Sequence, residues 1–124
     1  MLMMKRVLLL LLLLPSLAQA KALCPQSVTT VEINQCLTVK LERAVDELDS
    51  NLDLIRIRHA ADPVLLKLIE QSQRNWEAYR KKQCQSVFRL YDGGSIQSLM
   101  TVSCAIQLAR ERNTLLRQTY LEGR

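Results

Sequence analysis

The chain has 124 residues, of which 48% are hydrophobic and 23% charged, with seventeen Lys and Arg against twelve Asp and Glu. Such a length makes one domain around a single modest core, and the mildly basic balance has no concentrated patch of the kind that nucleic acid requires. With three glycines and three prolines in the whole chain, long helices are expected and no strand is.

The opening "MLMMKRVLLLLLLLPSLAQA" has a positive start at Lys5 and Arg6, an apolar run from Val7 to Leu14, and an A-x-A ending at Ala18 to Ala20. This is the layout of a secretory signal peptide, so residues 1–20 are expected to be removed and residues 21–124 to form one helical domain. The apolar run is too short to stay as a membrane anchor. Leu23 directly before the first cysteine, Cys24, also argues against a lipid anchor. Losing Lys5 and Arg6 leaves fifteen basic against twelve acidic residues, a net of +3. The domain is therefore expected in the periplasm or the medium. There an even set of cysteines, Cys24, Cys36, Cys84 and Cys104, reads as two disulfides. With one histidine and no CxxC pair, no metal site is expected.

The first mature element starts at a T-x-x-E capping box, Thr29 and Glu32, with Val28 and Ile33 at the positions of a hydrophobic staple. Apolar residues then recur at Ile33, Leu37, Leu41, Ala44, Leu48, Leu52 and Ile55, which predicts one amphipathic helix of about 29 residues ending near Arg58 and His59. The second helix is announced by Asp62 as N-cap and Pro63 in the first position. Its inward stripe reads Leu66, Ile69, Gln73, Trp76, Arg80, Cys84, Val87 and Tyr91. "YDGGS" then supplies a turn with glycines able to take positive φ, and Ser95 as the next N-cap. The third helix, about 96–121, carries Leu99, Val102, Ile106, Ala109, Leu116 and Tyr120 on one face, with Cys104, Leu108, Arg112 and Leu115 in a neighbouring row.

Short connections make successive helices antiparallel, so the expected fold is all-α, an antiparallel three-helix bundle stapled by two disulfides. If the second turn centres near residue 94, Cys84 and Cys104 lie ten residues to either side of it and sit level. That favours Cys84–Cys104 with Cys24–Cys36. The rival pairing, Cys36–Cys84 with Cys24–Cys104, is off level by only about one helical rise of ~1.5 Å on each helix and stays open.

The stripe of the second helix is unusual in holding Gln73, Trp76 and Arg80. Levelling across the turns sets Trp76 opposite Asp46 and Arg112, and Arg80 near Asp46 and Glu42. A structural role follows, with Trp76 filling the middle of the bundle, Arg80 pairing with Asp46 or Glu42, Arg112 stacking on the indole and Gln73 satisfying nearby polar groups. An exposed aromatic and cationic contact patch is the weaker alternative. The remaining residues offer little chemistry. His59 sits at a helix C-terminus, where a cation is favoured in any case. Ser95 and Ser103 have no histidine base, and the Gly-Gly-Ser loop lacks the strand and lysine of a phosphate cradle. No enzyme activity and no cofactor are expected.

"TTVEINQC", "DELD", "QRNWEAYRKKQC", "GGS", a fourth cysteine and "LARERNTL" together resemble the N-terminal domain of the LprI-type lysozyme inhibitors, small exported helical proteins of bacteria. The resemblance spans about residues 24–116. It rests on Cys24, Thr30, Glu32, Asn34, Cys36, Asp46, Leu48, Gln73, Trp76, Arg80, Cys84, Gly93, Gly94, Ser95, Cys104 and Arg112. Departures fall at Asp49, Leu52, Lys81 and Ala109, mostly on the surface between the first two helices. The resemblance implies a protein partner of the lysozyme class, bound without catalysis. A structural or adapter module of the envelope that binds another protein is the alternative. A net of +3 gives no long-range attraction to a basic lysozyme, so recognition would rest on local fit to a cleft that holds two carboxylates. The turns are the candidate contacts: Arg56, Arg58 and His59 in the first, and Asp92, Gly93, Gly94 and Ser95 in the second.

Overall fold

The computed structural model describes residues 22–123, so the signal-peptide segment, residues 1–20, lies outside the described residues. Three helices follow one another: α1 (Thr30–Arg58), α2 (Pro63–Leu90) and α3 (Gln97–Leu116). A π-helical segment, Arg117–Leu121, continues α3. Among the described residues there is no strand.

The end signals of α1 and α2 work as their chemistry requires. Thr29 accepts from the Glu32 backbone N–H at 3.1 Å, and the Glu32 carboxylate accepts from the N–H groups of Val28 and Thr29 at 2.8 and 3.2 Å. These bonds satisfy donors that a helix start leaves orphaned. The hydrophobic staple does not form, because Val28 is 86% exposed. Asp62 caps α2 by accepting from the Leu65 N–H at 3.0 Å, with Pro63 in the first turn. The start of α3 departs from expectation: Ile96 stands at the N-cap with no side-chain bond, and Ser95 remains in the exposed turn. The cause lies in the turn itself, where the Gly94 N–H donates to the Tyr91 carbonyl and Gln97 reaches back to the Phe88 carbonyl at 2.8 Å. The side-chain amide of Gln97 thus does the joining expected of a serine cap.

Helix α3 is the centre of the bundle. It buries eight of its 20 residues, whereas α2 buries three of 28, Ile69, Gln73 and Cys84. Packing runs along α1–α3 and α2–α3, and α1 meets α2 chiefly near their joining turn, where Arg56 lies 3.7 Å from Glu70. Levelling across the first turn therefore does not translate into contacts between α1 and α2. A short turn fixes that two helices are antiparallel, but α3 lies against the inner faces of both.

Two apolar clusters fill the interior. One gathers Cys24, Leu37, Leu99 and Ile106 towards the second turn, and the other gathers Leu48, Leu52, Ile55, Ile69 and Leu116 beside the first. Each fully buried aliphatic side chain here contributes roughly 1.5–3 kcal/mol. Along α3, Arg112 and Asn113 lie between the two clusters and are themselves 8% and 2% exposed. The two disulfides are Cys24–Cys36 and Cys84–Cys104, with Cα separations of 6.2 and 5.7 Å. The first folds the N-terminal turn onto α1, and the second ties the lightly buried α2 to the central helix.

Candidate functional site

The buried polar group of this bundle is centred on Arg112. Its Nε donates to the Gln73 side-chain carbonyl at 2.9 Å and one terminal nitrogen donates to the Ser72 hydroxyl at 3.0 Å. Burial lowers the pKa of the guanidinium from its ordinary value, with Tyr120 opposing. Trp76 lies between two cations, the Arg80 guanidinium carbon 5.0 Å and that of Arg112 5.9 Å from its ring centroid. Each such contact contributes about 0.5–1 kcal/mol when exposed and more when dry.

Three details differ from the sequence expectation. Trp76 is half-buried and packs on the edge of the apolar cluster near the first turn instead of filling the centre. Asp46 is exposed, and no ion pair joins Arg80 to Asp46 or Glu42 among the described residues. The cation that enters the interior is Arg112, and its partners are an amide, a hydroxyl and an indole. A guanidinium has five fixed donors and can be satisfied by neutral acceptors, which explains why no carboxylate is needed at this depth.

A second buried polar link was not anticipated. Asn51 donates to the Asn113 side-chain carbonyl at 3.1 Å, and Asn113 donates to the Ala44 backbone carbonyl at 3.0 Å. Both asparagines were visible by spacing, Asn51 three residues after Leu48 and Asn113 four after Ala109. Only their polarity hid them, because the apolar stripe was traced without them.

At the first turn Arg56, Arg58 and His59 are engaged in internal contacts, while Ile57 and Val64 beside them are exposed. Arg56 bonds Asp53 at 2.8 Å and approaches Glu70, while Arg58 donates to the Leu121 carbonyl. His59 donates from Nε2 to the Tyr120 carbonyl at 2.9 Å and meets the Tyr120 ring edge-on, centroids 6.4 Å apart. Arg117 reaches Glu47 at 3.1 Å. The C-terminal π segment is thereby strapped across the end of α1, and Tyr120 and Leu121 pack on the apolar cluster beneath it.

The second turn faces solvent. Asp92, Gly93, Gly94 and Ser95 are all exposed. Gly93 has φ +75°, a conformation that side-chain-bearing residues rarely take, and a Cβ on Gly94 would lie 3.1 Å from the Tyr91 carbonyl. Arg89 approaches Asp92 at 3.5 Å. Beside this turn two large apolar side chains are open to solvent, Phe88 at 51% and Leu90 at 76%. The Cys84–Cys104 bridge anchors the bases of both helices that carry it.

Among the described residues, no three His, Cys, Asp or Glu side chains cluster in a way that could hold a metal ion, and no helix is long and apolar enough to cross a membrane. The fold is that of a disulfide-stapled helical bundle. The family described as "Lysozyme inhibitor LprI" matches residues 24–116, and the chain belongs to that family, one of inhibitors and not of catalysts. A protein of Rhizobium meliloti (strain 1021) named "Uncharacterized protein R02472" is 27% identical over 106 residues, covering 77% of this chain and 76% of its own. No solved structure matches the chain.

Proposed function

We infer that the domain is an exported, non-catalytic binding protein that inhibits a lysozyme by direct contact, with the second turn as the contacting element. Membership of the inhibitor family is the basis of the partner class. The observation that carries the choice of turn is the contrast between the two ends. Arg56, Arg58 and His59 are occupied by Asp53, Glu70 and the C-terminal strap, whereas residues 92–95 project into solvent beside the bare side chains of Phe88 and Leu90. Exposed aromatic and aliphatic side chains beside a conformationally fixed turn lose little freedom on insertion into a cleft. Arg89, 86% exposed, adds a cation suited to a cleft with carboxylates. Export into the periplasm or the medium is supported by two disulfides and by the signal-peptide layout of residues 1–20.

An inhibition assay on the oxidised domain, residues 21–124, across lysozymes of several structural classes tests this. Inhibition at stoichiometric concentration is expected. A Phe88→Ser/Arg89→Glu variant should weaken it at least about tenfold, the usual scale for a contact hot spot, with an unchanged helical spectrum. Lack of inhibition in every class removes the lysozyme reading. The net of +3, which gives no steering towards a basic lysozyme, favours as the alternative an envelope adapter. Recovery of one envelope protein on the immobilised domain would then support that role.

A further inference from the structure

On the side of the bundle that α1 does not line, a hollow of about 260 Å³ runs from Tyr79 and Gln83 of α2 to Leu90 and Tyr91 at the edge of the second turn, with Gln107 and Glu111 of α3 facing them. A second hollow of about 320 Å³ continues it past Ser103, Gln107, Arg110 and Glu111 towards Leu23, which brings the whole into the ~300–1,000 Å³ range of small-ligand sites. Tyr79 and Tyr91, the residue that caps the end of α2, are twelve residues apart, so the groove extends roughly 18 Å along the helix.

The lining has a definite chemistry. No hydrogen bond within the described residues engages the hydroxyls of Tyr79 and Tyr91 or the side-chain amide of Gln83. Gln107 donates to Glu111 at 3.2 Å, which orients both groups and leaves the amide carbonyl and further carboxylate lone pairs open. Ser103 adds a hydroxyl that is buried with no partner, at the place where the two hollows meet. The combination is two aromatic rings, two amides that both donate and accept, and one carboxylate, over a floor that includes Met100, Cys104 and Leu108.

We propose that this α2–α3 groove binds an uncharged saccharide chain of a few rings. A sugar ring presents an apolar C–H face that packs on an aromatic ring and a rim of hydroxyls that donate and accept at once, which is what planar amide and carboxylate groups match. The two hollows together hold one charge of each sign, Glu111 and Arg110, so no net charge draws an anion and a neutral ligand is matched best. The groove meets the proposed lysozyme-contact surface at Leu90, and the positions that test it, Tyr79 and Gln107, lie outside that surface.

The test is an NMR titration of the oxidised domain with chitotriose and, separately, maltotriose. Saturable shifts confined to Tyr79, Gln83, Tyr91, Gln107 and Glu111 are expected for at least one of them, in the range of about 1 mM. Tyr79→Ala and Gln107→Ala, both at exposed positions, should each lower that affinity about tenfold while leaving the helical spectrum and lysozyme inhibition unchanged. The proposal is overturned by an absence of saturable shifts with both sugars, or by affinity that neither substitution alters. Lysozyme inhibition is read in a separate assay, so failure here leaves the proposed function standing.

Discussion

At the scale of the residue, Arg112 shows how a charge can be carried inside a small bundle. Its neighbours are Gln73, Ser72 and Trp76, all on one helix, so the group fixes the rotation and register of α2 against α3. A guanidinium without a carboxylate partner gains little from Coulomb attraction, and its contribution comes from hydrogen bonds and from ring contact. Replacing it by an apolar side chain of similar length leaves the buried Gln73 with an unmet carbonyl. Arg112→Met should therefore destabilise the domain by about 1–3 kcal/mol, and adding Gln73→Leu should recover part of the loss, since both polar partners are then gone. Urea unfolding of both oxidised single variants and of the double variant measures these values, and a double-variant loss equal to the sum of the two single losses would show that the pair is not coupled.

At the scale of the element, the three helices are held by different means. Helix α1 begins on a capping box and buries a continuous stripe, α3 is surrounded on two sides, and α2 relies on a disulfide and a polar stripe. The capping box has a pH signature. The backbone N–H groups of Val28 and then Thr29 hold the Glu32 carboxyl below its ordinary 4.5, so its folded pKa is depressed relative to the unfolded chain. The associated stability is present above that value and is lost as the pH falls through the folded pKa. Amide exchange at Val28 and Thr29 should speed up as the pH is lowered below about 4.5, beyond the intrinsic trend, and a Glu32→Gln variant should lack this step. The element ends were largely readable in sequence, because capping residues and Pro63 act within one turn of where they stand. The start of α3 was not, since Gln97 closes the turn through the Phe88 carbonyl nine residues away, a bond that depends on the turn's shape.

At the scale of the whole molecule, two modest apolar clusters with a polar layer between them leave the disulfides much to do. They close loops of 12 and 20 residues, and chain-entropy reasoning assigns each about 3 kcal/mol. Replacing Cys84 and Cys104 by serine should lower stability by about that amount, and hydrogen exchange should accelerate first in the C-terminal half of α2, where Cys84 is the last buried residue. A Cys24→Ser/Cys36→Ser variant should act elsewhere, freeing residues 24–29 and the first turn of α1. If both variants loosen the same helix equally, the division of labour between the bridges is wrong.

The sequence by itself determined the helices and their antiparallel order, because these rest on local periodicity, capping chemistry and short turns, and its motifs carried the likeness to the family. It also placed Gln73, Trp76 and Arg112 within reach of one another. Only the tertiary structure decided which helix is central, that Asp46 faces water, that Arg112 and not Arg80 enters the interior, and that the first turn is strapped by the C-terminal segment. The physical reason is the same in each case. A helix face spans several residues of similar polarity, and what selects among them is the rotation of each helix about its axis. That rotation is set by how three elements pack at once, a quantity that no single stretch of the chain contains.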